Sequence, residues 1–384
     1  MITARVLSLD HAGDRREVAA RFGLIADDLD GTVIQVGGVD PQAAARLAAV
    51  LAADGAAAGV ARDGDRADLL VAGRAPALLA ALRARDPALA ECCAEAVRRA
   101  HEPPPPLVAR GRRLSLDGRP LVVGILNATP DSFYDRGRHF GVDRSLARAE
   151  AMLEEGADVI EVGGETARPS EPVVPVAEEV ARVRPVIEAI AARWPVPIGI
   201  DTYKPEVARA ALEAGASIVN DISGLADDRV AEVAAAAGAA LVVMHIQGRP
   251  KVANPHARYE RVVDEVYAFL AARTARAEAL GVARQSLLVD PGFSFGKRPA
   301  HDLALVRRLR EFRGLGYPIY LAASRKNFIR DLMGLPFDEL LEGTLAVVAV
   351  GVRAGARLVR THDVRATRRL VAMLEAIQTG EGRS

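Results

Sequence analysis

Leu121 to Asn127, "LVVGILN", is an apolar run that stops abruptly on an amide. The loop behind it, "ATPDSFYDRG", crowds two aspartates, a serine, a threonine and aromatic residues into ten positions. A buried strand that ends this way once says little. The same ending recurs along the chain in "ADVIEVGG" (157–164), "VPIGIDT" (196–202), "ASIVND" (216–221), "ALVVMH" (240–245), "SLLVDPG" (286–292), "PIYLAAS" (318–324) and "ARLVRTHD" (356–363). Segments of helical spacing separate these runs, as in "SLARAEAMLEEG", which Gly156 stops. Apolar strands alternating with helices predict a parallel sheet, and eight of them predict a closed (β/α)8 TIM barrel.

The polar residues fall at the C-terminal ends of the runs: Asn127, Glu165, Asp201, Asn220, His245, Asp290, Ser324 with Arg325 and Lys326, and Arg360 with His362 and Asp363. That rim is where barrel enzymes carry their active sites, so the pattern predicts one ring of functional groups. Asp201, Asn220 and Asp290 suit a flat heterocycle rich in N–H donors, because carboxylates and amide oxygens accept such bonds. Arg360 and His362 suit an anionic phosphate group and lie near Asn127, since the last and first strands of a barrel are neighbours. Asn127 also offers an oxygen ligand to Mg2+, a cation commonly shared with substrate phosphates. No His/Cys cluster has zinc spacing and no glycine–lysine phosphate loop is present. Residue chemistry alone leads to a transferase or a lyase acting on a phosphorylated heterocycle.

Working outward from the barrel, the clearest boundary is "HEPPPP", His101 to Pro106, whose prolines cannot continue a helix. It divides the 384 residues into a small N-terminal α/β domain (1–100), a Pro-rich linker (101–109) and the barrel (110–384). In the first block "ARVLSL", "GTVIQVGG" and "ADLLVAG" read as strands, and "PQAAARLAAVLAADG" and "APALLAALRAR" as helices. It carries no phosphate loop, metal-ligand spacing or nucleophile setting, and a structural or interaction role is expected for it. After the prolines, "RRLSLDGRPLVV" reads as a hairpin turning at Asp117-Gly118.

Lys and Arg together number 50 and so do Asp and Glu, giving a net charge of +0 and arguing against nucleic-acid binding through bulk charge. The two cysteines, Cys92 and Cys93, are adjacent and exclude a disulfide scaffold, which fits a reduced cytoplasmic compartment. The N-terminal residues are charged and lack the apolar core of a signal peptide. No window is apolar enough for a membrane span.

In order and spacing, "GILNATPDSF", "DVIEVGGETARP", "IDTYK", "NDISG", "MHIQGRP", "DPGFSFGK", "SRKNFI" and "EGTLAVVAVGVRAGARLVRTHDV" resemble the dihydropteroate synthase family. The resemblance spans roughly residues 110–378, and the first block looks like an extension carried by some bacterial members. It implies condensation of a hydroxymethyl-dihydropterin diphosphate with 4-aminobenzoate, giving dihydropteroate and pyrophosphate. These small molecules would be the partners of a Mg2+-dependent, cytoplasmic homodimer. Carried over by position, Asp201, Asn220, Met244, Asp290 and Lys326 match the pterin contacts. Asn127, Arg168, Arg360 and His362 match the pyrophosphate contacts, with Asn127 at the metal. Phe133, Ala167, Pro169 and Asn327 match the aminobenzoate contacts, on loops that close over substrate. The resemblance assigns catalysis to Asp135, Lys326, Arg360 and His362, Asp135 offsetting positive charge on the reacting pterin.

Four positions depart from the family pattern. Ala167 stands in place of a hydroxyl residue, Ala322 and Ser294 in place of glycine, and Asn327 in place of serine. The altered positions around the second substrate motivate an expectation of changed affinity for aminobenzoate or its sulfonamide mimics. Pterin-dependent methyltransferases use a similar barrel but need no diphosphate site, so "SRKNF" and "RTHDV" speak against them. A degenerate barrel that binds pterins without turnover is the non-enzymatic alternative.

Overall fold

The computed structural model describes residues 2–128, 138–252, 254 and 256–380. The chain divides into two compact units, Met1–Pro103 with Arg307–Gly316, and Pro104–Val306 with Tyr317–Ser384.

The first unit is built on four antiparallel strands, β1 (Thr3–Val6), β2 (Thr32–Val39), β3 (Ala57–Asp63) and β4 (Arg66–Gly73), in the order β1-β2-β4-β3. Its helices are α1 (Ala12–Arg21), α2 (Pro41–Ala53), α3 (Ala75–Arg83) and α4 (Pro87–His101). The sheet is covered on both faces, which explains why β4 reads as a continuous apolar run. Leu69 and Val71 pack on residues of α2, α3 and α4, whereas Leu70 and Ala72 pack with Val18 and Ala19 of α1. Asp40 and Asp86 cap α2 and α4 through the amides of Ala43 and Leu89. The alanine-rich β3 gave no strand signal, but the two-residue turn Gly64-Asp65 pairs it directly with β4.

Arg307–Gly316, which sequence alone places with the barrel, belongs to this first unit. Within the unit, Arg307 donates to both oxygens of Asp14 at 3.0 Å, and Glu311 accepts from Arg308 and from the Ser8 amide. Phe312 is fully buried.

The second unit opens with a hairpin, β5 (Leu107–Ala109) and β6 (Arg112–Leu114). Its turn is Arg110-Gly111, not the expected Asp117-Gly118. Both turn residues have positive φ, 50° and 77°, as a tight two-residue hairpin turn demands. Leu107, Ala109 and Leu116 are buried against residues inside the barrel, and Arg110 bonds the carbonyls of Leu212, Ala216 and Gly238. The hairpin therefore plugs one mouth of the barrel.

The barrel strands are β7 (Leu121–Asn127), β8 (Val159–Gly163), β9 (Ile198–Asp201), β10 (Ile218–Asp221), β11 (Ala240–Met244), β12 (Leu287–Asp290), β13 (Ile319–Leu321) and β14 (Ala356–Thr361). All neighbours pair in parallel and the sheet closes through β14 and β7. The helices between are α5 (Arg138–Glu154), α6 (Val176–Arg193), α7 (Pro205–Glu213), α8 (Arg229–Ala236), α9 (Val262–Ala279), α10 (Pro299–Arg307), α11 (Asn327–Met333), α12 (Leu341–Arg353) and α13 (Val364–Thr379). This is the (β/α)8 TIM barrel expected from the eight runs.

Strand periodicity then places the site. Val123, Val159, Ile218, Val242, Leu288 and Leu358 share one interior cluster. Alternate residues of a strand point the same way, so Glu161, Asn220, Met244, Asp290 and Arg360, each two positions further on, lie in the next interior layer. That layer sits towards the C-terminal rim.

Candidate active site

Arg360 organises this layer. Its Nε donates to Glu161 Oε1, and its Nη2 donates to Asp201 Oδ2 at 2.6 Å. Glu161 also accepts from Asn220 Nδ2 at 3.3 Å and from the Tyr320 hydroxyl at 2.6 Å. Sequence reasoning assigned Asp201 and Asn220 to a heterocycle and Arg360 to a phosphate as separate halves, yet here Arg360 is bonded to Asp201 and shares Glu161 with Asn220. It passed over Glu161 and Tyr320 altogether. The signal was present: an acid in the middle of "DVIEVGG", a strand otherwise buried, needs a polar partner inside the barrel.

Burial raises the pKa of Asp201 to about 7, with Arg360 pulling the other way. Burial likewise raises Asp290 to about 6, opposed by the Gly292 amide on its Oδ1 at 2.7 Å. Gly292 is obligatory there, since its φ is +71° and an added Cβ would lie 1.9 Å from the His245 carbonyl oxygen. Asn220 is only 2% exposed, and its Oδ1 is a buried acceptor with no hydrogen-bond partner. An orphaned acceptor inside a polar layer is a place prepared for a ligand N–H.

Lys326 stands with its Nζ 4.3 Å from the centroid of the Phe295 ring. Burial lowers its pKa to about 8, and Arg360 lowers it further. The preceding residue, Arg325, has a left-handed φ of 52°. It is held there by a bidentate pair with Asp363 at 2.8 Å and by the carbonyls of Phe337 and Asp338. Arg325 and Asp363 are thus structural, clamping the loop after β13 to the loop after β14.

His362 Nδ1 lies 2.9 Å from the Ser324 hydroxyl, while the His362 amide donates to that same oxygen at 3.1 Å. Burial depresses His362 to about 4, so the ring is neutral near pH 7. The Ser324 hydroxyl thus fixes the orientation of the ring.

His245, included in the ring by sequence, is drawn away from it. Its Nδ1 takes a bond from half-buried Lys297 at 2.9 Å, and its ring meets Phe269 edge-on. Lys297 also donates to the carbonyls of Gly292 and Phe295, so it fixes the "DPGFSFGK" loop. Glu165 too is structural, accepting from the Val174 amide and from Lys204, which also binds Glu179 at 2.6 Å.

Met244, buried, packs with Ile222 and Ile246, and Ala167, Tyr203 and Phe295 lean on this cluster. Ala167 also lines a small cavity with Glu165, Asp201, Thr202 and Lys251, so nothing in its surroundings explains the alanine. Asn127 is exposed at the end of β7, Arg168 and Pro169 are exposed on the loop after β8, and Asn327 is exposed at the start of α11. Asp131, Phe133 and Asp135 lie outside the described residues. Ser294 has a φ of +67°, which accounts for the glycine usual at that position. No group of three or more His, Cys, Asp or Glu side chains among the described residues is placed to hold a metal. No helix among them is long and apolar enough to cross a membrane.

A closed (β/α)8 barrel with buried acceptors, a lysine, an arginine and a neutral histidine at its C-terminal rim defines an enzyme of polar heterocycles. More particularly, the chain belongs to the family described as "Pterin binding enzyme", which matches residues 123–362. It is 42% identical over 270 residues to the dihydropteroate synthase of Escherichia coli K12, covering 70% of this chain and 95% of that protein. It is 43% identical over 274 residues to "Inactive dihydropteroate synthase 2" of Mycobacterium leprae, covering 70% of this chain and 94% of that one. Among solved structures, Xanthomonas albilineans dihydropteroate synthase in complex with 7,8-dihydropteroate superposes with a TM-score of 0.64 at 40% identity. That match covers 71% of this chain and 99% of the other. Residues 1–122 precede the family match.

Proposed function

We propose that this chain is a dihydropteroate synthase, a transferase of folate biosynthesis. It joins 6-hydroxymethyl-7,8-dihydropterin diphosphate to 4-aminobenzoate with release of pyrophosphate. The observation that carries the reading is the unpartnered, buried Asn220 Oδ1, on the strand position paired with Asp201 and in the layer that also holds Arg360 and Asp290. These are acceptors for a pterin's N–H groups, with cations alongside for a diphosphate.

In this reading Asp201, Asn220 and Asp290 hold the heterocycle, Met244 packs against it, and Lys326 donates to its acceptor atoms. Arg360 and His362 stabilise the departing diphosphate, with Arg168 as a further cation from the loop after β8. The bond between the pterin methylene carbon and the diphosphate oxygen breaks. The aromatic amine then forms the new C–N bond and gives up a proton. Asp135 offsets positive charge on the pterin, and Phe133, Ala167, Pro169 and Asn327 surround the amine.

Asn127 contributes one amide oxygen, which fits Mg2+ if phosphate and water complete its shell. When bound there, Mg2+ would neutralise charge on the diphosphate. A cytoplasmic location accords with the free thiols of Cys92 and Cys93. A homodimer accords with the exposed Val350 on α12 and with Met373 and Ile377, one turn apart on α13.

Calorimetric titration with the pterin diphosphate tests the assignment of the first substrate. Binding that is lost in Asp290→Asn and Lys326→Ala is expected, and unchanged binding in both would overturn it. The inactive mycobacterial relative keeps a second reading in view, a barrel that binds the pterin without turning it over. Product formation separates the two.

A further inference from the structure

We propose that Glu161 is a positioning residue that sets the hydrogen-bonding polarity of the heterocycle site, orienting Asn220 and Arg360 through one buried carboxylate. The proposal rests on the reading of this layer as a pterin site. Three strands deliver partners to this single side chain, which is 1% exposed: Asn220 from β10, Tyr320 from β13 and Arg360 from β14.

A carboxylate oxygen accepts and does not donate, so the atom of Asn220 that faces Glu161 must be the NH2 group. The amide oxygen is thereby turned the other way, where it is buried and has no partner. Without Glu161 nothing among these contacts decides which end of the amide the ligand meets. With it, the site offers an acceptor and selects a ring that presents N–H at that point. Oε1, which receives Asn220, also receives Arg360 Nε, and the guanidinium extends from there to Asp201. Tyr320 holds Oε2 and keeps the carboxylate from rotating. The backbone opposite is prepared for this side chain. Gly199 pairs with Glu161 in the register, and a Cβ there would come within 3.2 Å of its Cγ.

The test is calorimetric binding of 6-hydroxymethyl-7,8-dihydropterin, which lacks phosphate, to the full chain and its variants. Glu161→Leu is expected to weaken binding by about tenfold or more, because Asn220 is then free to flip. Glu161→Gln, whose side-chain oxygen accepts in the same place, should rescue it to within about threefold of the unmodified protein. Asn220→Ala should also weaken binding, and adding Glu161→Leu to it should cost less than Glu161→Leu costs alone, because only the share carried through Arg360 then remains. Glu161→Leu binding as the unmodified protein does, or losses that multiply in the double variant, would overturn the proposal. Should Glu161→Leu fail to fold, Tyr320→Phe frees Oε2 and is expected to weaken binding about threefold, and no change there overturns it equally. If the unmodified protein does not bind the dihydropterin, the pterin reading fails. The crystal structure of the Glu161→Leu variant then decides for Glu161 alone. Arg360 displaced from Asp201 supports the positioning role, and Arg360 and Asn220 unmoved refutes it.

Discussion

Arg360 shows how one side chain can tie two halves of a site together. Removing it strips the charge partner from Glu161 and Asp201 together. Arg360→Ala is therefore expected to destabilise the protein by on the order of 3 kcal/mol in urea unfolding and to weaken binding even of a phosphate-free pterin. Unaltered affinity for that ligand would return Arg360 to the phosphate alone. Titration gives a second check. Asp290 and Asp201 accept N–H groups on both oxygens, and most strongly, when ionised, and their raised pKa values, about 6 and about 7, place that ionisation close to neutrality. Lys326, lowered to about 8, must keep its proton to donate. So kcat/KM should fall as pH drops through 7 to 6 and fall again as pH rises above 8, and Lys326→Arg should erase the alkaline limb because a guanidinium does not titrate there. A limb unaffected by that substitution would belong to another group. Ser294→Gly should raise stability by about 1 kcal/mol, since the serine sits at a left-handed φ. At this scale the sequence exposed the polar strand ends, because a polar residue closing an apolar run is conspicuous. It hid Tyr320 and the partners of Glu161: the acid inside its apolar run was visible, but what it bonds lies on strands distant in the chain.

The strands and helices of the barrel were legible as elements because parallel strands covered on both faces read as short apolar runs. The hairpin turn was misplaced, since Asp117-Gly118 is the stronger local turn signal while Arg110-Gly111 wins through bonds to loops of the barrel. The clamp between the loops after β13 and β14 was invisible for a similar reason. Arg325 and Asp363 read as members of the functional ring, and only their mutual bidentate pair shows that they hold the loops for their neighbours Lys326 and His362. Asp363→Ala is expected to lower kcat/KM by about tenfold or more, with Arg325 released from its left-handed conformation. Steady-state kinetics with both substrates checks this, and activity within twofold of the unmodified protein would mean that the loops hold without the clamp.

At the scale of the whole molecule, the proline run predicts a simple cut, but the first unit includes Arg307–Gly316. A fragment beginning at Pro104 would leave Arg307 without Asp14, Glu311 without the Ser8 amide and Arg313 without the carbonyls of Arg99 and Glu102. It is expected to melt at a lower temperature than the full chain or to aggregate, as thermal unfolding and sedimentation would show. An equal melting temperature would establish that the barrel tolerates the loss. This composition could not be read from the sequence, because the inserted segment shows no break in pattern from α10. The barrel's relatives include both active and inactive proteins, so the integrity of the site must be judged by its chemistry. The most direct measurement is pyrophosphate release by the purified full chain given Mg2+ and 6-hydroxymethyl-7,8-dihydropterin diphosphate, with and without 4-aminobenzoate. Release that depends on the amine, matched by an equal amount of dihydropteroate, is the predicted result. Pterin binding with no amine-dependent release would contradict it.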